Sequence, residues 1–417
     1  MGVHLEPRRP LRPRTPAAAI ILFALVAAAA IVTLADLGWP ARDYRQGDFF
    51  QYWAGSHALL SGSDPYDLSW WTRFSVASGS RAAFAYPQPP AGPTWTTAYP
   101  LWTLVAFVPF ALLPFAVASA AWLVAQVIAV AVGLTALIRT VLRTATRRDA
   151  VVLVGIALAF QPLWLLPGNG NVTGFIFAAL TGSLALAARP TTSGALLGAL
   201  AFKPQSVLLA ALASVVTAPA RARAQMLVGG ATVLGVLAAV TLVVRPGWVS
   251  DWLRSVAAFH SSTGSNATFW TLGRAIGVPA LSLVVPVTAL TVLVAWALVR
   301  RPRPLVLVAA AVPVSIGLSP YGWTYDQIHL LITFAIGLEL LADMPTAART
   351  GGVIALGVVA IALPWALYAY GIGHNTEDWS ALVPLLALAW LLGVDRWRST
   401  MPDLVTRPLS IARASGI

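Results

Sequence analysis

Val117-Ala-Ser-Ala-Ala-Trp-Leu-Val-Ala-Gln-Val-Ile-Ala-Val-Ala-Val-Gly-Leu-Thr-Ala-Leu-Ile138, followed by Arg139, Arg143, Arg147 and Arg148, is the stretch whose reading decides the fold class. It carries no charge over the length that an α-helix needs to cross a hydrocarbon core of roughly 30 Å, about 20 residues. A basic cluster then follows at once, and apolar runs closed by arginine recur along the chain. With 58% hydrophobic residues, 10% charged residues and a mean hydropathy of +0.76, the chain is far poorer in charge than a soluble domain, which carries roughly 25%. A membrane barrel would instead show alternating strands of about ten residues. The expectation is an all-α polytopic membrane protein forming a single domain over 1–417.

The net charge of +12 does not point to nucleic acid. That reading needs basic residues clustered on one soluble face, whereas here they sit at the ends of apolar runs. Absence of cysteine removes disulfides, thiolate chemistry and cysteine metal sites. The first apolar run, 17–35, has a basic flank in Arg8, Arg9, Arg12 and Arg14. It is long enough to span and no small-residue cleavage site follows, so it reads as a retained anchor.

Placing the arginine clusters on the cytoplasmic side sets the orientation. The spans that satisfy it are 17–35, 117–138, 150–166, 171–188, 193–203, 205–218, 225–244, 279–299, 304–319, 327–342, 351–370 and 379–394. That is about twelve crossings, with cytoplasmic tails at 1–16 and 395–417. Segment 99–115 is apolar, but counting it as a span would move the Arg139–Arg148 cluster outside. Parity therefore makes it a re-entrant or interfacial element, and Pro100, Pro109 and Pro114 suit a broken helix. The long loops 36–98 and 245–278 fall outside, with Asp36, Asp43, Asp48, Asp64, Asp67, Asp251, Asp326, Glu377 and Asp378. His57, His260, His329 and His374 lie on or near that side too. The chemistry is expected to face outward from a plasma membrane.

The first outer loop is the richest in chemistry. Phe49, Trp53, His57 and Leu60 recur at helical spacing after Asp48, so 49–60 reads as an amphipathic interfacial helix. Asp48 is a candidate reactive carboxylate and also a candidate N-cap, and the two roles can coexist. Asp64 and Asp67 read as turn residues. Lys203, the one lysine of the chain, lies in an apolar run where two pieces too short to cross, 193–203 and 205–218, meet at Pro204. A cation there is costly unless it meets a partner or a cavity. An anionic lipid phosphate would serve, as would snorkelling to the interface, and Gln205 adds a neutral donor.

Two outer turns add polar groups. Gln161-Pro162 and Pro167-Gly168-Asn169-Gly170-Asn171 read as turn chemistry or as carboxamides suited to hydroxyls or a phosphate. Asn171-Val172-Thr173 and Asn266-Ala267-Thr268 also match the N-glycosylation pattern. Ser319-Pro320-Tyr321-Gly322-Trp323-Thr324-Tyr325-Asp326-Gln327-Ile328-His329 places Asp326 and His329 three apart. Two such ligands without a third fall short of a metal site, and an aromatic belt with a helix cap is the plainer reading.

These pieces resemble the GT-C superfamily of polytopic glycosyltransferases, and within it family 87, typified by bacterial α-mannosyltransferases that use polyprenyl-phosphate-mannose. The resemblance rests on Asp48-Phe49-Phe50-Gln51-Tyr52-Trp53 with Ala58–Asp67, Tyr99-Pro100-Leu101 leading to Leu112-Leu113-Pro114, Gly168-Asn169 with Asn171, Lys203-Pro204-Gln205, and Ser319-Pro320 with Trp323 and Asp326. They occur in family order. The resemblance implies transfer of a sugar, mannose first, from a polyprenyl-phosphate-sugar donor to a glycolipid or polysaccharide hydroxyl, by direct inverting displacement, with no cofactor and no obligatory metal. Asp48 resembles the family's proposed catalytic base. Tyr99, Asn169, Asn171, Lys203, Gln205, Trp323, Asp326 and His329 are the implied donor- and acceptor-binding set. Asn169 stands where many members have glutamine, and Tyr325-Asp326-Gln327 where many have adjacent histidines. The competing expectation is a transporter or flippase of a lipid-linked sugar. Such proteins place substrate at the midplane between repeated halves, and no internal repeat stands out.

Overall fold

The computed structural model describes residues 47–77, 96–141, 147–262, 265–342, 344–374 and 376–400. The expected span 17–35, the tail 1–16, Asp36, Asp43 and most of the second half of the first outer loop lie outside the described residues. Among the described residues the chain is helical throughout, with no strand. In order the α-helices are α1 (Asp48–Leu60), α2 (Leu68–Ala77), α3 (Leu101–Ala111), α4 (Phe115–Val141), α5 (Arg147–Ala159) and α6 (Gln161–Asn169). Then come α7 (Thr173–Ala185), α8 (Pro190–Gly198), α9 (Leu208–Val216), α10 (Ala220–Val244), α11 (Trp248–Ser262) and α12 (Phe269–Ile276). The chain closes with α13 (Leu281–Arg300), α14 (Pro304–Leu318), α15 (Leu330–Ala342), α16 (Thr346–Gly357), α17 (Leu363–His374) and α18 (Leu382–Ser399).

Among the described residues, six helical stretches are long and apolar enough to cross a membrane, or seven if the pair α5 and α6, bent by 56°, is one broken span. This is an integral membrane protein, but about twelve full crossings are not what the described residues form. The reason is length. The expected spans at 171–188, 193–203 and 205–218 fold as helices of 13, 9 and 9 residues, and at 1.5 Å per residue even 13 residues reach only about 20 Å. The 99–115 segment holds the 11-residue α3, which Pro114 separates from α4. The long loop 245–278 is itself helical, folding as α11 and α12.

Burial sorts the apolar helices into two kinds. α14 buries nearly every residue from Val306 to Gly317, and α15 is buried almost throughout. A helix apolar all round is buried or faces lipid. These two form the centre, packed on each other, on α18 and, for α14, on α9. By contrast α10 and α13 expose Leu227, Val228, Val243, Leu283, Leu298 and Val299, the composition of a lipid-facing surface. α10 is held by α8 at a close crossing, where a Cβ on Gly194 would meet the Met226 backbone and one on Gly229 the Thr191 carbonyl. Small residues at such a crossing let two backbones approach.

α1 is also enclosed. On the expected apolar face Phe49 is buried, Trp53 and His57 are half-buried and Leu60 is exposed, while Phe50, Tyr52 and Ala54 on other faces are fully buried. It therefore does not lie on a surface by one face, because its apolar residues occur on more than one side. Ser56 donates to the Leu104 carbonyl of α3 at 2.6 Å, and Phe49 stacks on Trp122 of α4 with ring centroids 5.9 Å apart.

Candidate active site

Four separate breaks in helical structure meet at one point: the start of α1, the turn between α6 and α7, the interruption between α8 and α9, and the short 3-10 helix Thr324–His329 before α15. Each break exposes side chains that a continuous helix would direct elsewhere. At the first, Gly47 occupies the N-cap and Asp48 the first helical position. The Asp48 carboxylate does not cap the helix. One oxygen accepts from the Tyr99 hydroxyl at 2.6 Å, and the other from Nδ2 of Asn171 at 2.8 Å and the Tyr325 hydroxyl at 2.8 Å.

Asn171 is presented by a turn that needs glycine. Gly170 has φ +73°, and a Cβ there would run into Phe49. Such a φ is strained for residues with a side chain. The Gly170 carbonyl accepts from Nε1 of Trp122 at 2.7 Å, and the Asn171 carbonyl accepts from Gln126. The turn is thus pinned to α4 by two bonds, and the Asn171 side chain points at Asp48.

At the third break, the 3-10 turns Ala199–Phe202 and Pro204–Ser206 flank Lys203, whose φ is −156°. Proline after Lys203 disfavours helix there, and the chain turns the lysine inward. Lys203 is 3% exposed. Its Nζ lies 2.5 Å from Oδ1 of Asp326, 3.2 Å from Oδ1 of Asn171, 3.3 Å from Oγ1 of Thr173 and 4.7 Å above the Tyr325 ring. The second Asp326 oxygen accepts from the Trp323 backbone amide at 3.1 Å, holding the start of the 3-10 helix.

The network has an outer and an inner layer. Asp48 and Tyr99 are half-buried, whereas Asn171, Thr173, Lys203, Tyr325 and Asp326 are buried behind them. Burial, and next the Asp48 charge, raises the Tyr99 hydroxyl well above its ordinary pKa. Tyr52, whose ring lies 4.5 Å from that of Tyr99, is raised for the same two reasons. Tyr99 therefore stays protonated and donates. Outside this core, Glu377 accepts from the Thr324 amide and hydroxyl at 2.8 and 2.6 Å, fixing the 3-10 helix from its other side. Burial pushes its carboxyl upward.

Of the residues singled out in the sequence, Asp48, Tyr99, Asn171, Lys203 and Asp326 are joined by hydrogen bonds. Trp323 enters through its backbone. Asn169 sets its carbonyl against Gly47, and its side-chain oxygen has no partner among the described residues. Gln205 is half-buried with no hydrogen bond to the network among the described residues. His329 is fully buried, 6.2 Å from the Phe177 ring, and neither ring nitrogen has a partner among the described residues. No group of three metal-ligating side chains occurs among the described residues. Tyr325, Thr173 and Tyr52 were not singled out as site residues. Tyr325 adjoins Asp326, and Thr173 ends the Asn171-Val172-Thr173 triplet, so neighbouring polar residues at a helix start were the available signal. Both asparagines of the glycosylation-like triplets, Asn171 and Asn266, are buried.

Residues 95–320 match the family model for glycosyltransferase family 87. The chain belongs to that family. This family-87 glycosyltransferase carries Tyr99, Asn171 and Lys203 inside the matched region. Asp48, Tyr325 and Asp326 lie outside it and are brought to the same residues by folding. No curated protein matches the chain.

Proposed function

We propose that this family-87 enzyme transfers a sugar, mannose first, from a polyprenyl-phosphate-sugar to a hydroxyl of a glycolipid or glycan acceptor, with Asp48 as general base. The observation that carries the reading is the Asp48 carboxylate: half-buried, at the mouth of a polar network, and bonded only by donors. Tyr99, Tyr325 and Asn171 leave it as an acceptor aimed by three fixed groups. A positioned base of this kind contributes typically 10²–10⁴-fold.

In the proposed step the acceptor O–H proton passes to Asp48 as the acceptor oxygen attacks the anomeric carbon. The bond from that carbon to the phosphate oxygen breaks, and the polyprenyl phosphate leaves with the electron pair. The configuration inverts. Because the leaving group is already a stable anion, one carboxylate suffices, in contrast to the carboxyl pair of glycosidases. We propose further, from the arginine clusters closing apolar runs and the positive-inside rule alone, that this site faces the outer side of a plasma membrane, with both termini cytoplasmic.

The test is transfer from labelled polyprenyl-phosphate-mannose in membranes containing the enzyme. Asp48→Asn, at normal protein level, is expected to lose at least about 100-fold. Undiminished transfer by that variant rules out the base. Movement of the lipid-linked sugar without a covalent product favours transport.

A further inference from the structure

The one lysine of the chain is expected, from its place in an apolar run, to meet a phosphate. The geometry assigns it a different partner. Its ammonium has three hydrogens and accepts none. Three acceptors, Oδ1 of Asp326, Oδ1 of Asn171 and Oγ1 of Thr173, surround it within 3.3 Å. At 3% exposure it offers a phosphate no open side. Reaching one would mean parting a buried ion pair, which leaves Asp326 uncompensated.

What Lys203 does face is the carboxamide of Asn171. An amide side chain can be turned end for end with little change of shape, so its neighbours decide which end goes where. The ammonium and the Thr173 backbone amide, at 3.0 Å, both point hydrogens at the Asn171 oxygen. Its nitrogen therefore faces Asp48 and donates at 2.8 Å. A flipped amide would press its oxygen against the Asp48 carboxylate and its hydrogens against the ammonium. Asn171 is fully buried, so no solvent relieves that clash. A cation on the amide oxygen also polarises the N–H bonds on the far side, which strengthens their donation.

We propose that Lys203 is a positioning residue that locks and polarises the Asn171 carboxamide toward Asp48, and is not a ligand of the donor phosphate. Asp326 is the counter-charge that lets the lysine sit in the interior. This rests on the general-base reading of Asp48, and the two are separable, because failure of that reading shows as transfer retained by Asp48→Asn.

The test is a double-mutant cycle with steady-state kinetics. The paired change Lys203→Met with Asp326→Asn removes both charges together, and Asn171→Leu removes the amide. Each is expected to lower kcat about tenfold or more, as loss of a charge-assisted bond does, with KM for the polyprenyl-phosphate-sugar changed less than about twofold. Introducing the paired change into Asn171→Leu is expected to add no further loss, since coupled residues are non-additive. A raised donor KM at unchanged kcat, or losses that multiply, overturns the proposal. Lys203→Arg keeps the charge and covers the case where the paired variant does not accumulate. Lower kcat with unchanged affinity for polyprenyl phosphate itself supports the assignment, and weakened affinity overturns it.

Discussion

The Tyr325 hydroxyl lies 2.8 Å from a carboxylate oxygen of Asp48, across 277 positions of sequence. Tyr99 reaches the other oxygen at 2.6 Å. Two phenols from different ends of the chain thus grip one carboxylate, and the local structure on each side explains how. Asp48 opens α1 and Tyr325 sits in the 3-10 helix that Asp326 and Glu377 hold from two directions.

Removing one phenol should therefore misaim the base without emptying the site. A hydrogen bond to a charged group is worth about 1.5–3 kcal/mol, which is about 10–150-fold in rate if realised in the transition state. Tyr325→Phe and Tyr99→Phe are each expected to lower kcat within that range. The Tyr52 hydroxyl meets the Val172 amide at 3.4 Å and the Tyr99 side chain rather than Asp48, so Tyr52→Phe should cost less. Side-by-side kinetics of the three variants check the order.

Tyr99 is itself held from the first outer loop. The Tyr66 hydroxyl donates to the Tyr99 carbonyl at 2.9 Å, and the Tyr66 amide donates to Asp64 at 2.8 Å. Asp64 and Asp67 are turn residues in the structure, and through Tyr66 the turn steadies a residue that touches Asp48. Tyr66→Phe is expected to cost about 1 kcal/mol of stability and to lower activity less than Tyr99→Phe does. Thermal unfolding and transfer assays on the same preparation check both.

Arg245 bridges that turn to α11, reaching Asp64 at 2.6 Å and Asp251 at 2.7 Å. The Arg245 hydrogen bond holds the Asp251 carboxyl below its ordinary value of 3.8. A group lowered on folding stabilises the protein above its unfolded pKa and loses that contribution as pH falls through the folded one. The expected result is a fall in thermal stability below pH 3.8 that is smaller in Arg245→Gln. Melting of the detergent-solubilised protein across pH 2–7 would show it.

The α8–α10 crossing gives a test of packing. Gly194→Val drives a side chain into the Met226 backbone and is expected to destabilise by about 1–3 kcal/mol or more. It should also lower activity, because α8 leads directly into Lys203. Gly235, in the same α10, has nothing near its would-be Cβ. Gly235→Ala is expected to be neutral or to stabilise by about 0.5–1 kcal/mol. Comparing the two melting temperatures separates crowding from loss of glycine itself.

The sequence by itself determined the class of molecule. Long uncharged runs closed by arginine can be satisfied only by helices in a membrane, because the bilayer core leaves backbone groups no other partner. It also marked where helices stop: glycine, asparagine and proline at 168–171, proline after Lys203, and the polar run before His329 are local signals of broken backbone. Asp48 and Lys203 stood out for the same local reason, charge set among apolar neighbours.

Only the tertiary structure decided how the helices divide and whom these charges meet. Apolar composition cannot tell a helix facing lipid from one buried in protein, since both environments are dry. That is why α14 reads as a span like α13 yet lies in the core, and why short pieces read as crossings. Nor does it reveal partners far apart in sequence. Whether Asp48 caps its helix or meets two tyrosines, and whether Lys203 finds a phosphate or Asp326, depends on which breaks the packing brings together. A buried charge takes whatever counter-group folding delivers to it, and here folding delivered Asp326.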